Sequence, residues 1–342
     1  MIYNLMNYKF AAYKVKRHLF IHLTGFIFLF SNVGQVQAQE KRYSFEKGMM
    51  GSPFTLVFYA TNDSLAQQAA EAAFQRVAEL NTIMSDYLDG SEINRLSAQS
   101  GSGKWVRVSQ PLFEILAISQ DISVKTDGVY DASLGPVVQM WRRATRKGVY
   151  PSSREIRQAL AKTGYKKIKM DASTQSVLLK QKGMRLDIGG LGKGYAAEEA
   201  IKVLKGYGIK SAMMDAGGKI VVTNPPPGST GWKINISNGN DSLKTMELSN
   251  ASVATSGPTY RYMEYKGVRY SHIVNPKTGI GLLFHVRTTV VSPDGTVADA
   301  LATAFSVAGI KKSKKYLQNF PGSRVWLIEK QGDREASWST LE

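Results

Sequence analysis

Three groups of residues have the types and spacing to do chemistry. The stretch 187–199, DIGGLGKGYAAEE, carries Gly189, Gly190, Gly192 and Gly194 between an apolar run ending in Asp187 and an amphipathic helix. Glycines at such a junction let backbone N–H groups approach an anion at the helix N-terminus, a phosphate for preference, or simply let two elements pack tightly. The spacing is neither GxGxxG nor a P-loop, because Lys193 precedes Gly194 where a magnesium-holding hydroxyl would stand. Farther on, Asp299 and Thr303 lie four apart in ADALATA and share one helix face. A carboxylate and a hydroxyl are hard oxygen ligands of the kind magnesium takes alongside phosphate oxygens and water; the bland alternative is a cap or a solvated face. His272, in SHIVNPKTG, reads by itself as a packed or surface residue ahead of an Asn-Pro turn.

Helical and strand periodicities supply the elements that position these groups. Two strands over 41–61 turn at 51–53, and a helix spans 65–84. Asp86 and Ser91 suit turns and caps before a short helix from 92 to 96. Residues 106–108 lead to a helix over 111–126, with Pro111 in its permissive first turn. In TDGVYDASLGPVVQMWRRA, Gly128 and Asp131 have turn chemistry and Trp141 is a core residue. A helix from 152 to 163 is followed by strands at 166–170 and 176–179. The run 184–187 is strand-like, and the helix after the glycine turn stops at Gly208. SAMMDAGGKIVVT is strand, glycine turn, strand; WKINIS and KTMELSN are strands; a hairpin turns at Lys266-Gly267. RTTVVSPDGTVADALATAFSVAG is strand, turn and helix, and VWLIEK closes the fold as its last strand. This order lacks the regular period of a doubly wound sheet and predicts an α+β fold with substantial antiparallel sheet.

Composition narrows the chemistry. With no cysteine among 342 residues, thiol catalysis, disulfides, Cys-ligated zinc, iron–sulfur clusters and lipid-modified cysteine are excluded. Residues 1–38 have the form of an export signal: Lys9, Lys14, Lys16 and Arg17, then an apolar run over 19–30, then Val36-Gln37-Ala38 as a cleavage site. The apolar run is shorter than the roughly 20 residues of a spanning helix. The expected organisation is a signal peptide over 1–38 and one domain over 39–342, exported and either periplasmic or membrane-associated. Without the four leader cations, 40 basic residues face 27 acidic ones, a balance that favours anionic partners. The cations are dispersed and no nucleic-acid motif accompanies them, so no nucleic acid is expected as partner.

Taken in order, Met50-Gly51, SDYLDGSEINRL, DGVYDASLGPVVQMW, DIGGLGKGYAAE, DAGG, ATSGPTYRYMEYKGVRYSHIVNPKTG and ADALATA resemble the ApbE family of FAD:protein FMN transferases. The resemblance implies a single T-fold-like α+β domain with mixed, largely antiparallel sheets and flanking helices. It implies magnesium-dependent cleavage of the FAD pyrophosphate, transfer of FMN to a Thr or Ser hydroxyl of an exported or membrane flavoprotein subunit, and release of AMP. Asp299 and Thr303 match the family's metal positions, with the Gly190 carbonyl completing the protein ligands. His272 matches its general base. Met50, Tyr87, Val129, Tyr130, Asp131, Asp187 and Lys193 match positions that bind FAD, with Lys193 suited to phosphate charge.

The chain also departs from the family pattern. Ser52 stands where Thr is frequent, Lys219 where Asn or Asp is common after DAGG, Ala302 where many members have a second acid, and Leu282 replaces a proline. Lys219 reverses a local charge and Ala302 weakens the case for two metals. The same residues would serve a metal-dependent FAD pyrophosphatase with water as acceptor. A non-catalytic flavin-binding protein and a surface protein that binds anions by charge are the readings from other classes.

Overall fold

The computed structural model describes residues 39–237, 243–257, 262–332 and 334–341; the expected leader, 1–38, and residues 258–261 of the tyrosine-rich motif lie outside them. β1 (Lys41–Met49) and β2 (Ser52–Ala60) form a hairpin. Met50 and Gly51 both have positive φ, 48° and 71°, as a two-residue hairpin turn requires. The turn therefore lies upstream of the expected 51–53, and Pro53 pairs with Gly48 in the ladder.

Asn62 caps α1 (Asp63–Met84) by accepting from the Leu65 N–H, and Ser91 caps α2 (Glu92–Ala98) in the same way through Asn94. β3 (Val106–Arg107) leads to α3 (Gln110–Lys125), then α4 (Gly135–Lys147). A capping box between Ser152 and Glu155 starts α5 (Ser153–Leu160), which stops short of the expected 163. β4 (Ile168–Asp171) and β5 (Ser176–Leu179) pair with each other and with β3.

The run 184–187 makes only an isolated bridge between Arg185 and Leu134 rather than a strand. The Leu186 N–H goes to Ser97 Oγ and that of Asp187 to the Ala132 carbonyl, so its hydrogen bonds are taken singly by neighbours instead of by a ladder. α6 (Gly192–Gly206) follows, then β6 (Ala212–Ala216), β7 (Lys219–Val222), β8 (Trp232–Ser237), β9 (Leu243–Leu248) and β10 (Ala251–Ser256). β11 (Tyr262–Tyr265) and β12 (Val268–Ser271) form the expected hairpin, and β13 (His285–Ser292) enters α7 (Gly295–Leu317). β14 (Arg324–Gln331) contains VWLIEK but is not the last strand; β15 (Arg334–Ser339) pairs onto it.

The fold is α+β. One eight-stranded sheet runs β1-β2-β6-β7-β10-β13-β14-β15, with every neighbouring pair antiparallel. Period-two alternation along β2 separates two cores. Phe54, Leu56 and Phe58 belong to the main core with α1, α6 and α7, while Val57 packs with Trp232, Ile234 and Ile236 of the β8–β9 hairpin on the opposite face. A third cluster joins α4, α5 and the β11–β12 hairpin around Trp141, as expected a core residue. The Trp141 ring stacks on Tyr270 at 5.5 Å between centroids, and Tyr150 stacks on Tyr265 at 5.1 Å. Among the described residues no helix is long and apolar enough to cross a membrane.

Candidate active site

The start of α6 lies against the start of α7 at a distance only glycine permits: a Cβ on Gly194 would stand 2.1 Å from the Gly295 carbonyl oxygen. That contact puts the Asp299 carboxylate within reach of α6, and its Oδ2 accepts from the Gly194 N–H at 3.1 Å. Asp299, 2% exposed, thus caps a helix other than its own, where the positive end of the helix dipole favours it. One turn later Thr303 Oγ1 donates to the Gly190 carbonyl at 3.3 Å. Asp299, Thr303 and Gly190 accordingly present carboxylate, hydroxyl and carbonyl oxygens at one place.

Of the two purposes weighed for the glycine turn, close packing is the one seen in the structure. Gly194 is there for close packing. The N–H groups of Gly189 and Gly194 are taken by the carboxylates of Asp187 and Asp299, so these two do not await a phosphate. What the turn offers the cleft is the Gly190 carbonyl and the Lys193 side chain, whose Nζ donates to Ser52 Oγ on β2.

These groups line a cleft of about 640 Å³. Every residue that the resemblance matched to a metal, base or FAD position lies on its wall: Met50, Tyr87, Val129, Tyr130, Asp131, Asp187, Gly190, Lys193, His272, Asp299 and Thr303. They come from the β1–β2 turn, the segment after α1, the loop before α4, the start of α6, the loop after β12 and one face of α7. Residues separated by up to 253 positions in sequence meet there.

His272 is exposed at the cleft, on a loop whose backbone is fixed on both sides. Ser271 and Ile273 bond to Leu282, Asn275 to Ile280, and Gly279 to Asn275. Trp141 Nε1 adds a bond to the Gly279 carbonyl at 2.7 Å. Leu282, in place of the family's proline, is buried and supplies the N–H that bonds the Ile273 carbonyl, which proline could not.

Electrostatics distinguish the acids. Burial pushes the Asp299 carboxyl up, against the lowering influence of Lys219, the Gly194 N–H and Lys193. Burial also raises Asp187, aided by Asp86 and opposed by Arg142 and the Gly189 N–H. Asp131 is raised by burial, yet its two oxygens accept from the backbone N–H groups of Ser133 and Tyr165, at 2.7 and 3.0 Å, so its carboxylate shapes the loop. Tyr130 is held well above its ordinary range, by burial first and then by Asp187, Asp299 and Asp131, and stays protonated. Its hydroxyl is the one buried side-chain polar atom among the described residues without a hydrogen-bond partner. Its ring edge stands 3.2 Å from where a Gly190 Cβ would be.

Sequence reasoning missed Arg142. Its guanidinium lies 3.9 Å over the Tyr87 ring, pairs with Asp86, and reaches Asp187 Oδ2 at 3.2 Å. Asp86, read as a turn residue, is therefore half of a buried ion pair. Nothing marks Arg142 in sequence, since it follows Trp141 in a helix with several other cations. Lys219 was legible only as an anomaly after DAGG; it lines the same cleft, with Nζ 3.8 Å from Asp299 Oδ1.

The ApbE family model matches residues 50–327. A Treponema pallidum protein named FAD:protein FMN transferase is 28% identical over 305 residues, covering 84% of each chain. An Escherichia coli K12 protein of the same name is 28% identical over 265 residues, 75% of each chain. Among solved structures, the apo form of Pseudomonas stutzeri flavinyl transferase ApbE superposes with a TM-score of 0.80 at 26% identity, over 89% of this chain and 96% of that one. The Thermotoga maritima ApbE protein gives 0.79 at 26% identity, over 88% and 97%. The family match spans the cleft from Met50 to Thr303 and most of the sheet that supports it: this chain belongs to the ApbE family.

Proposed function

We propose that the chain is an FAD:protein FMN transferase, magnesium-dependent, acting on a Thr or Ser hydroxyl of an exported or membrane flavoprotein subunit. The observation that carries this reading is the meeting, in one cleft, of a hard-oxygen set, a lysine and an exposed histidine on a rigid loop. Oxygen donors from Asp299, Thr303 and Gly190 fit magnesium in chemistry, and among the described residues no cluster of three His, Cys, Asp or Glu competes as a metal site. A magnesium ion held there would neutralise pyrophosphate charge and stabilise charge developing at the transferring phosphorus and the leaving AMP.

The chain's own residues do the rest. Tyr87, backed by Arg142, offers an aromatic face to a flat ring, and Lys193 offers positive charge to phosphate. Tyr130 supplies a hydrogen bond from its orphan hydroxyl. His272 takes the proton of the acceptor hydroxyl as that oxygen bonds to the FMN phosphorus; the bond from this phosphorus to the bridging oxygen breaks, and AMP leaves with that oxygen. Phosphoryl transfer rests mainly on positioning and electrostatics, in keeping with the hydrogen-bonded loop that carries His272.

The test is intact mass spectrometry of an acceptor domain incubated with the protein, FAD and magnesium, with an EDTA control. A gain of one FMN unit that EDTA abolishes is expected. His272→Ala should retain FAD and lose transfer, whereas Asp299→Ala should lose magnesium-dependent activity. FMN and AMP in solution over an unmodified acceptor would move the reading to pyrophosphatase; wild-type transfer by the His272 variant would remove the assigned base. Export with cleavage after Ala38 belongs to the same proposal, and a mature chain starting elsewhere than Gln39 would refute that part.

A further inference from the structure

The two oxygens of Asp299 face different groups. Oδ2 takes the Gly194 N–H, whereas Oδ1 faces the Lys219 ammonium at 3.8 Å. A carboxylate 2% exposed needs its charge met within the protein, and Lys219 meets it. Yet the ammonium is not seated on the carboxylate. Its hydrogen bond goes to the Thr255 carbonyl, at 2.6 Å.

That position is set by the sheet. Lys219 is the first residue of β7, in register with Ala254 of β10, and follows the turn at Gly217 and Gly218, whose φ values are 62° and 83°. The Gly218 N–H is fastened to Asp215 Oδ1 at 2.7 Å. The side chain is only 17% exposed, so its charge is poorly screened by water and salt.

We infer that Lys219 is a built-in counter-ion for Asp299 that makes entry of a divalent cation conditional on a bound pyrophosphate. A divalent ion on Asp299, Thr303 and Gly190 has to share the carboxylate with an ammonium less than 4 Å from its other oxygen, and like charges that close in a buried site repel. The negative charges of a nucleotide pyrophosphate offset both cations together. Metal alone therefore binds weakly, metal and FAD bind together strongly, and by reciprocity each strengthens the other by the same factor. The inference rests on the metal-dependent reading above.

The experiment is a titration of Mn²⁺ by electron paramagnetic resonance, with and without saturating FAD in ice-cold samples, on the full chain and on Lys219→Gln and Lys219→Arg. Gln removes the charge but keeps a donor for the Thr255 carbonyl; Arg keeps the charge; thermal melts establish that each variant is folded. In the wild type, FAD should tighten Mn²⁺ binding by roughly tenfold or more. Lys219→Gln should bind Mn²⁺ alone about tenfold more tightly than wild type and gain correspondingly less from FAD, while Lys219→Arg follows wild type. Equal Mn²⁺ affinity of wild type and Lys219→Gln without FAD, or a wild-type affinity indifferent to FAD, overturns the inference and leaves the metal site standing. Absence of Mn²⁺ binding in every protein, even with FAD, overturns the metal reading and the inference with it.

Discussion

Gly194→Ala separates packing from chemistry at the glycine turn. Its added Cβ would lie 2.1 Å from the Gly295 carbonyl oxygen, 2.8 Å from the carbonyl carbon and 2.9 Å from Asp299 Cβ. The first two are backbone atoms, which no rotamer change can move aside. Restoring ordinary contact requires α6 to retreat from α7 by about 1 Å, and the 3.1 Å bond from Gly194 to Asp299 lengthens with it. Overpacking of this kind costs up to about 3 kcal/mol, from which the better helix propensity of alanine returns roughly 1 kcal/mol. The net loss is about 2 kcal/mol, a fall in melting temperature on the order of 5 °C for a chain of this size. The control is Gly206→Ala at the other end of the same helix, where an added Cβ meets nothing within 4 Å. There the propensity gain stands alone, and the melting temperature should hold or rise. Differential scanning calorimetry of both variants, with FAD binding by fluorescence quenching, checks the pair. If Gly194→Ala melts with Gly206→Ala and binds FAD as wild type does, the close approach of the two helices is not what the glycine is for.

Arg142→Met leaves Asp86 and Asp187 facing each other without a cation. Breaking such a partly buried set should destabilise the fold by about 3 kcal/mol and weaken FAD binding through the unsupported Tyr87; urea denaturation and FAD titration measure the two effects, and Arg142→Lys should recover only part of either. Tyr130→Phe removes a buried hydroxyl that has no protein partner, so the apo protein should be as stable as wild type or slightly more so, while FAD affinity falls about fivefold or more. A variant with unchanged affinity would mean the hydroxyl faces no ligand.

The elements that follow from local rules were legible. Ser91 and the Ser152–Glu155 box announce helix starts, Lys266-Gly267 announces a hairpin, and Asp299 with Thr303 fall on one face as their spacing dictates. The run 184–187 was misread because its apolar alternation is that of a strand, whereas its hydrogen bonds go to a serine side chain and a loop carbonyl far away in sequence. β15 escaped notice for the opposite reason: REASWS is largely exposed at the edge of the sheet and sends only Trp338 onto the core, too little to show as a pattern. At the site, the motifs carried the eleven lining residues, but a motif says nothing of partners. That Asp299 caps a neighbouring helix, that Asp131 is spent on two backbone amides, and that Arg142 backs Tyr87 are facts of tertiary distance.

The ring cluster beneath the β11–β12 hairpin has an optical consequence. Trp141 touches Tyr270 and Tyr150 and is tied by its indole N–H to the loop that carries His272. Indole emission shifts to the red when the ring is wetted and overlaps the absorption of flavin. A chain retaining Trp141 as its sole tryptophan would therefore report two events in one cuvette: quenching when a flavin enters the neighbouring cleft, and a change of colour if docking of an acceptor lifts the hairpin from its aromatic seat.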